Sequence, residues 1–462
     1  MKKRVSLIHA AGVLAWLAGS AHAQTCTPTI ETFPSQPAVV GGYIQPIYEW
    51  DDGTGSAFFI GGSSENIGSA NNKWIAKWDA ASGTFSKLGA GIDAGTNSQF
   101  VASMVAVDFG SGSRLFVGGT FISAGGVGDT RTLAAWDGTN WISPGTGFEN
   151  HVGIPFPAVW AMTTFNDGSG EKLVIGGEFS GVGSVAVANG LGMYDGSSWS
   201  GMGVGALGTV FALTTYDDGS GESVYAGGRL IGIGTGSHQL IGRWDGTDWQ
   251  SVGGGTLFAT SALAQVATFA EFDDGTGTAL YVGGDRLNGL TFTDYETAKW
   301  DGTNWTAVGQ ASGGRTTALA VYDDGTGPAL YQAGTSQTNL RYISRLENGT
   351  WVTLMGGIDP NISSISGGNP SAFGLRAHST GLYIVGNFSE INGQSATGLA
   401  RYTCENACYA DCDGSGTLNI FDYICFGNEY AAGTSYADCD GSGSLNIFDY
   451  ICFGNEYAAG CP

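Results

Sequence analysis

Between residues 27 and 403 the chain contains no cysteine, and along its whole length it has few cations. Lys and Arg total 18 against 41 Asp and Glu, a formal net charge of −23. A surface so short of positive charge excludes a nucleic-acid partner and an anionic membrane surface, both of which are held by Lys and Arg. Beyond residue 17 no apolar run is long enough to cross a bilayer, so no membrane span is expected. Histidine is equally scarce. His151, His238 and His378 fall far apart and are expected to be ordinary loop or strand residues. Glycine is the opposite case, at 79 of 462 residues. It follows no collagen period and is accompanied by many aromatics, so it marks tight turns between strands. An apolar content of 42% can bury a sizeable core, spread over two or three domains.

The N-terminus carries Lys2, Lys3 and Arg4, an apolar stretch through Leu17, and then Ala21-His22-Ala23. This pattern predicts a signal peptide over residues 1–23, cleavage near Ala23 and a secreted or cell-surface protein. Export agrees with the eight cysteines, an even number suited to disulfides in an oxidising compartment. Cys26 stands alone at the start, and the other seven lie between Cys404 and Cys461.

The cysteine-free middle is a repeat. In residues 272–308, FDDGTGTALYVGG is followed by a variable insert and then AKWDGTNWTAVG. The double-glycine anchor recurs at Gly61, Gly118, Gly176, Gly227 and Gly283, with degraded copies ending at Gly334 and Gly386. The period of roughly 50–58 residues is that of one propeller blade. Each copy reads as four strands: an apolar strand before DDGTG, the LYVGG run, a strand ending at the aromatic of WDG, and a strand starting at the next Trp. Asp-Gly supplies the positive φ that a tight hairpin needs. Seven such copies predict a seven-bladed β-propeller of four-stranded blades over residues 24–403, all-β.

A double glycine, an aromatic and a Trp about five residues later resemble the kelch repeat, which implies a propeller of the kelch and galactose-oxidase-like group over residues 40–403. In that group the specific catalytic option is a copper radical oxidase, which needs a Tyr–Cys crosslink. The cysteine-free body excludes it. DGTNW also resembles the Asp-box turn of sialidase propellers, one residue shorter, and such turns are structural. The last copy reaches Leu399-Ala400-Arg401-Tyr402 and then Cys404, so it lacks a fourth strand. Residues 27–33 are expected to supply it and close the ring, with a Cys26–Cys404 disulfide as the lock.

Strand alternation sorts the loops. The DDGTG and DGTN turns fall on one face, where their Asp residues are expected to cap their own turns. The opposite face collects the long, unlike inserts 63–73, 120–133, 178–190, 229–240, 285–297 and 387–398, the expected place for a protein or glycan ligand.

From Ala410 a 24-residue segment, ADCDGSGTLNIFDYICFGNEYAAG, repeats almost unchanged after a shift of 27 residues. Oxygen-bearing residues sit at positions 1, 3, 5, 7, 9 and 12 of each loop with Gly at 6, the ligand spacing of an EF-hand loop. Two Ca²⁺ ions are therefore expected. The first loop offers Asp411, Asp413, Ser415, Thr417 through its carbonyl, Asn419 and Asp422. The second offers Asp438, Asp440, Ser442, Ser444 through its carbonyl, Asn446 and Asp449.

Asp at position 12, the missing preceding helix and the tandem copy resemble dockerin domains of the cysteine-containing kind that ends in Gly460-Cys461. The resemblance implies a small all-α domain over residues 404–462 that folds around calcium and docks onto a cohesin-like or cell-surface partner. Dockerins of cellulosomes commonly carry small hydroxyl residues at loop positions 10 and 11. Here Ile420-Phe421 and Ile447-Phe448 stand there, so an apolar partner face is expected. Tyr423, Ile424, Phe426 and Tyr430 make the helix that follows apolar on nearly every side at first. Six cysteines would staple so small a domain. Cys408–Cys461 is expected to clasp its ends, and the pairing of Cys412, Cys425, Cys439 and Cys452 stays open.

These features describe a secreted, non-catalytic binding protein: a recognition propeller carried by a calcium-dependent docking tail. The alternative is a polysaccharide-active glycosidase or lyase delivered by the same tail. It would need two carboxylates across a pocket, and although Glu49, Glu178 and Glu271 are available, no spacing selects a pair.

Overall fold

The computed structural model describes residues 26–460 except 34–38, 41, 69–71, 94–99, 146, 149–155, 186–187, 236–239, 254–263, 289–293, 310–313, 337–342, 355–369, 392, 407–409, 414–416 and 440–443. Residues 28–403 form one compact unit, and residues 404–462 fall in another. Among the described residues no helix is long and apolar enough to cross a membrane.

Among the described residues the first unit contains seven four-stranded antiparallel sheets and three two-stranded ones. The first blade is Ile44–Asp51, Ser56–Gly62, Ile75–Asp79 and Thr84–Ser86. The fifth is Gln265–Asp273, Thr278–Asn288, Asp294–Trp300 and Trp305–Ala307. In the seventh, Ser371–His378, Gly381–Asn387 and Leu399–Asn406 are completed by the N-terminal strand Cys26–Thr32. The ring closes as expected, with the first strand of the chain as the outer strand of the last blade. Thr29 and Thr403 share a hydroxyl hydrogen bond of 2.6 Å, and Arg401 pairs with Glu31. Cys404 is disulfide-bonded, and the side chain of Cys26 lies outside the described residues.

The second strand of each blade is the apolar run because blades cover both of its faces. In the first blade every residue of Ala57–Gly62 is buried, and in the fourth Ser223–Gly228 are buried likewise. The double glycine follows from the same packing. A Cβ on Gly118 would lie 2.6 Å from Val159 Cγ1 in the next blade, and one on Gly119 would lie 2.1 Å from the Phe100 carbonyl in its own. Gly176 and Gly177 repeat this against Val210 (2.6 Å) and the Ala158 carbonyl (2.0 Å). The anchors at Gly334 and Gly386 are one place out of register with the rest. Gly334 pairs with Thr316, and Gly386 with Ala372, the partners that the second glycine takes elsewhere. Val385 then fills the first-glycine place, and the inner strand answers with Gly374 opposite it.

The two aromatics of the WDG hairpin pair across it, with ring centroids 5.3 Å apart for Trp136–Trp141 and 5.1 Å for Trp300–Trp305. The second also locks neighbouring blades. Trp141 Nε1 donates to the Leu88 carbonyl (2.9 Å), Trp199 to Pro144 (3.0 Å) and Trp249 to Met202 (3.0 Å).

On the short-turn face the first Asp of DDGTG caps its own turn. Asp273 accepts from Gly275 N (2.8 Å) and Gly277 N (2.9 Å), and both glycines have positive φ, 91° and 114°. The second Asp faces a cation on the third strand: Asp52–Lys77 and Asp274–Lys299, both at 2.7 Å. Asp274 also accepts from the Tyr281 hydroxyl at 2.9 Å. Burial raises the Asp274 carboxyl, and the bonds from Lys299, Thr276 and Tyr281 outweigh it and hold the group well below the usual carboxylate range. Lys77, Lys172, Arg243, Lys299 and Arg345 are all paired with Asp residues of this face.

Candidate calcium and docking site

Asn419 and Asn446 start two helices, α1 (Ile420–Ala432) and α2 (Ile447–Ala459), and each carries a capping box. Asn419 Oδ1 accepts from Phe421 N at 2.8 Å, and Asp422 Oδ2 accepts from Asn419 N at 2.7 Å. Asn446 and Asp449 repeat the pattern at 2.9 and 2.7 Å. Position 12 of each loop is therefore also the third residue of a helix, where a carboxylate complements the helix dipole. Both Asp422 and Asp449 are fully buried.

The first loop brings Asp411, Asp413 and Asp422 together, with one oxygen of each within 4.8 Å of the others. Three carboxylates at that separation, one of them buried, repel one another unless a cation lies among them. The Asn419 amide donates to the Thr417 carbonyl (2.8 Å), which keeps position 7 beside the loop. Hard oxygen donors of this number suit Ca²⁺. Ser415 lies outside the described residues, as do Asp440 and Ser442 of the second loop, where Asp438, Ser444, Asn446 and Asp449 are described.

Two disulfides lie wholly among the described residues, Cys412–Cys425 and Cys439–Cys452, each joining loop position 2 to the helix of the same copy. Cys408 and Cys461 lie outside the described residues. The helices meet through Phe426 and Phe453, stacked at 4.2 Å and 17°. Tyr450 lies edge-on to Phe426 (5.1 Å) and Tyr423 edge-on to Phe453 (5.2 Å), so the duplicated sequence packs as a near two-fold pair. Burial, then the charges of Asp422, Asp411 and Glu429, push the Tyr436 phenol up to about 12.

This core divides a helix surface that the sequence shows as apolar throughout. Tyr423, Phe426 and Tyr430 turn inward. Ile420, Phe421 and Ile424, with Ile447, Phe448 and Ile451, remain exposed, Phe421 and Phe448 both at 63%. Ile424 and Ile451 thus join the four residues that the loop positions single out. A spacing of four residues from Ile420 to Ile424 on one helix face was the available signal.

The candidate carboxylates for glycoside hydrolysis are not brought together. Glu49 and Glu271 sit near the short-turn ends of the first and fifth blades, and Glu178 ends the second strand of the third blade at the long-loop side. Glu49 accepts from Ser56 Oγ (2.7 Å) and faces His378 Nε2 at 3.5 Å. His151 and His238 lie outside the described residues.

The fold thus defines a seven-bladed β-propeller and, in a second unit, two packed helices, each tied to its own loop by a disulfide. No protein-family model matches the chain, and no curated protein matches it. Among solved structures it is similar to the extracellular domain of BT4673 from B. thetaiotaomicron, described as a one-component system. That match has 11% identity and a TM-score of 0.47, over 82% of this chain and 40% of the other. Chaetomium thermophilum Raptor matches at 10% identity and a TM-score of 0.41, over 83% and 29%. The chain spans less than half the length of either protein.

Proposed function

We propose that this is a secreted, non-catalytic binding protein whose C-terminal unit binds two Ca²⁺ ions and docks onto a cohesin-like or cell-surface protein, while the propeller recognises a glycan or protein. The observation that carries this reading is the duplicated loop–helix unit. A buried carboxylate at loop position 12 stands beside an exposed Ile-Phe pair in each copy, and in the first copy that carboxylate belongs to a three-Asp cluster. Calcium would hold Asp411, Asp413 and Asp422 together, and with them the start of α1, so the Ile420-Phe421 face would depend on the ion. The second loop would act in the same way on Ile447 and Phe448. Two disulfides suit an oxidising, extracellular setting.

The test is capture from a cell-surface extract on the immobilised full-length protein. The reading expects a partner retained in calcium, released by chelator, and lost with Phe421→Asp and Phe448→Asp combined. Capture that survives chelation or the double substitution would contradict it.

A further inference from the structure

The innermost strands of all seven blades pair with their second strands in equivalent registers, interrupted by a bulge at the same level. A bulge leaves a residue unpaired and re-aims its side chain. At that level stand Trp160 in the third blade, Phe211 in the fourth and Phe373 in the seventh. Phe100 of the second blade and Tyr43 of the first lie beside them on the long-loop side. These five rings touch in order around the axis: Phe373–Tyr43 at 5.1 Å, Tyr43–Phe100 at 6.3 Å, Phe100–Trp160 at 5.1 Å and Trp160–Phe211 at 5.7 Å. All five are only half-buried, unlike the core aromatics.

The arc spans five blades, and the other two differ in kind. The fifth and sixth carry Ala267 and Thr317 at the bulge, with Gln265 and Arg315 in the place that Phe100 holds in the second blade. Exposed Arg229 donates to Gln265 Oε1 at 3.2 Å. Arg315 feels the charge of Asp285, which stands opposite Gln265, and its buried Nε makes no hydrogen bond among the described residues. The long-loop side of the axis is therefore aromatic around most of its circumference and guanidinium- and amide-bearing around the rest.

We infer that this arc is a glycan subsite, in which a pyranose ring lies against Trp160 and Phe211 and its hydroxyls meet Arg229, Gln265 and Arg315. This deepens the reading of the propeller as a recognition scaffold and rests on it. A sugar ring has both surfaces that the arc offers: a C–H face for the aromatic rings, and a rim of hydroxyls for a fork of N–H donors. An apolar peptide would desolvate the guanidinium groups without pairing them, at a cost. A mere plug of the axis would bury its rings, whereas all five stay half-exposed.

The test is affinity electrophoresis of the full-length protein through gels containing laminarin, arabinoxylan or polygalacturonate, with thermal unfolding as the folding control. The inference expects retardation by at least one polysaccharide, an at least tenfold weaker interaction for Trp160→Ala, and partial rescue by Trp160→Phe. Arg229→Ala, at an exposed position, should weaken it several-fold without changing the unfolding temperature. Retardation unchanged by Trp160→Ala and Arg229→Ala would overturn the subsite and leave the scaffold reading standing. No retardation in any gel would overturn the glycan assignment, while calcium-dependent capture through the tail is read separately.

Discussion

At the scale of the residue, the double glycines show how one packing problem is solved repeatedly. The first glycine admits the next blade, and the second admits the carbonyl before the bulge of its own inner strand. Gly118→Ala should therefore cost about 2 kcal/mol through overpacking against Val159, whereas Gly128→Ala, with open space around its Cβ position, should stay within about 0.5 kcal/mol. Urea unfolding followed by tryptophan fluorescence would check this, since no Trp lies in residues 404–462 and the signal belongs to the propeller. Equal effects of the two substitutions would refute the packing account. These glycines were legible in the sequence because their chemistry recurs in copy after copy. The arc of Phe373, Tyr43, Phe100, Trp160 and Phe211 was not, because a bulge breaks the two-residue alternation and no local motif is shared among them.

At the scale of the element, the turns combine Asp and Gly for a reason that pH should expose. The Asp of each DGT(N/D) or DGSS hairpin accepts from the backbone ahead of it. Asp245 bonds the amides of Asp248 and Thr247, both at 2.9 Å. Those backbone bonds and the Thr247 hydroxyl hold its carboxyl down at about 2, against ~3.9 in an unfolded chain. A group with a lowered folded pKa adds stability that is complete above the unfolded value and disappears as the pH falls through the folded one. The propeller's unfolding temperature should thus hold steady down to about pH 4 and drop between there and pH 2. Replacing Asp195, Asp245 and Asp301, whose carboxyls are all held down by these turn bonds, together by Asn should flatten that drop, because the amide oxygen still accepts but no longer titrates. An equally steep fall in the variant would count against the turns. The helix pair was read from sequence only in part. Its loop spacing was plain, but which apolar residues face inward depends on the Phe426–Phe453 stack, and the pairing of Cys412 with Cys425 and of Cys439 with Cys452 depends on the fold bringing each loop onto its own helix.

At the scale of the whole molecule, two repeat systems meet in one chain. Seven blades close through an N-terminal strand paired with Leu399–Asn406, so the last blade has four strands like the others and each blade keeps only its own short outer edge. A twofold loop–helix repeat then gathers acidic oxygens and exposes paired Ile and Phe side chains. The scarcity of cations has its counterpart here as well. Lys77, Arg243, Lys299 and Arg345 lie beside Asp residues of the short-turn face, and Asp411, Asp413 and Asp422 gather around one another.

The central claim is that the tail is built around calcium, and calorimetric titration of Ca²⁺ into the chelator-stripped full-length protein tests it most directly. The account predicts two binding events in the native chain and one in the Asp411→Asn, Asp413→Asn double variant. A titration with no heat of binding, or one unchanged by those substitutions, would contradict it.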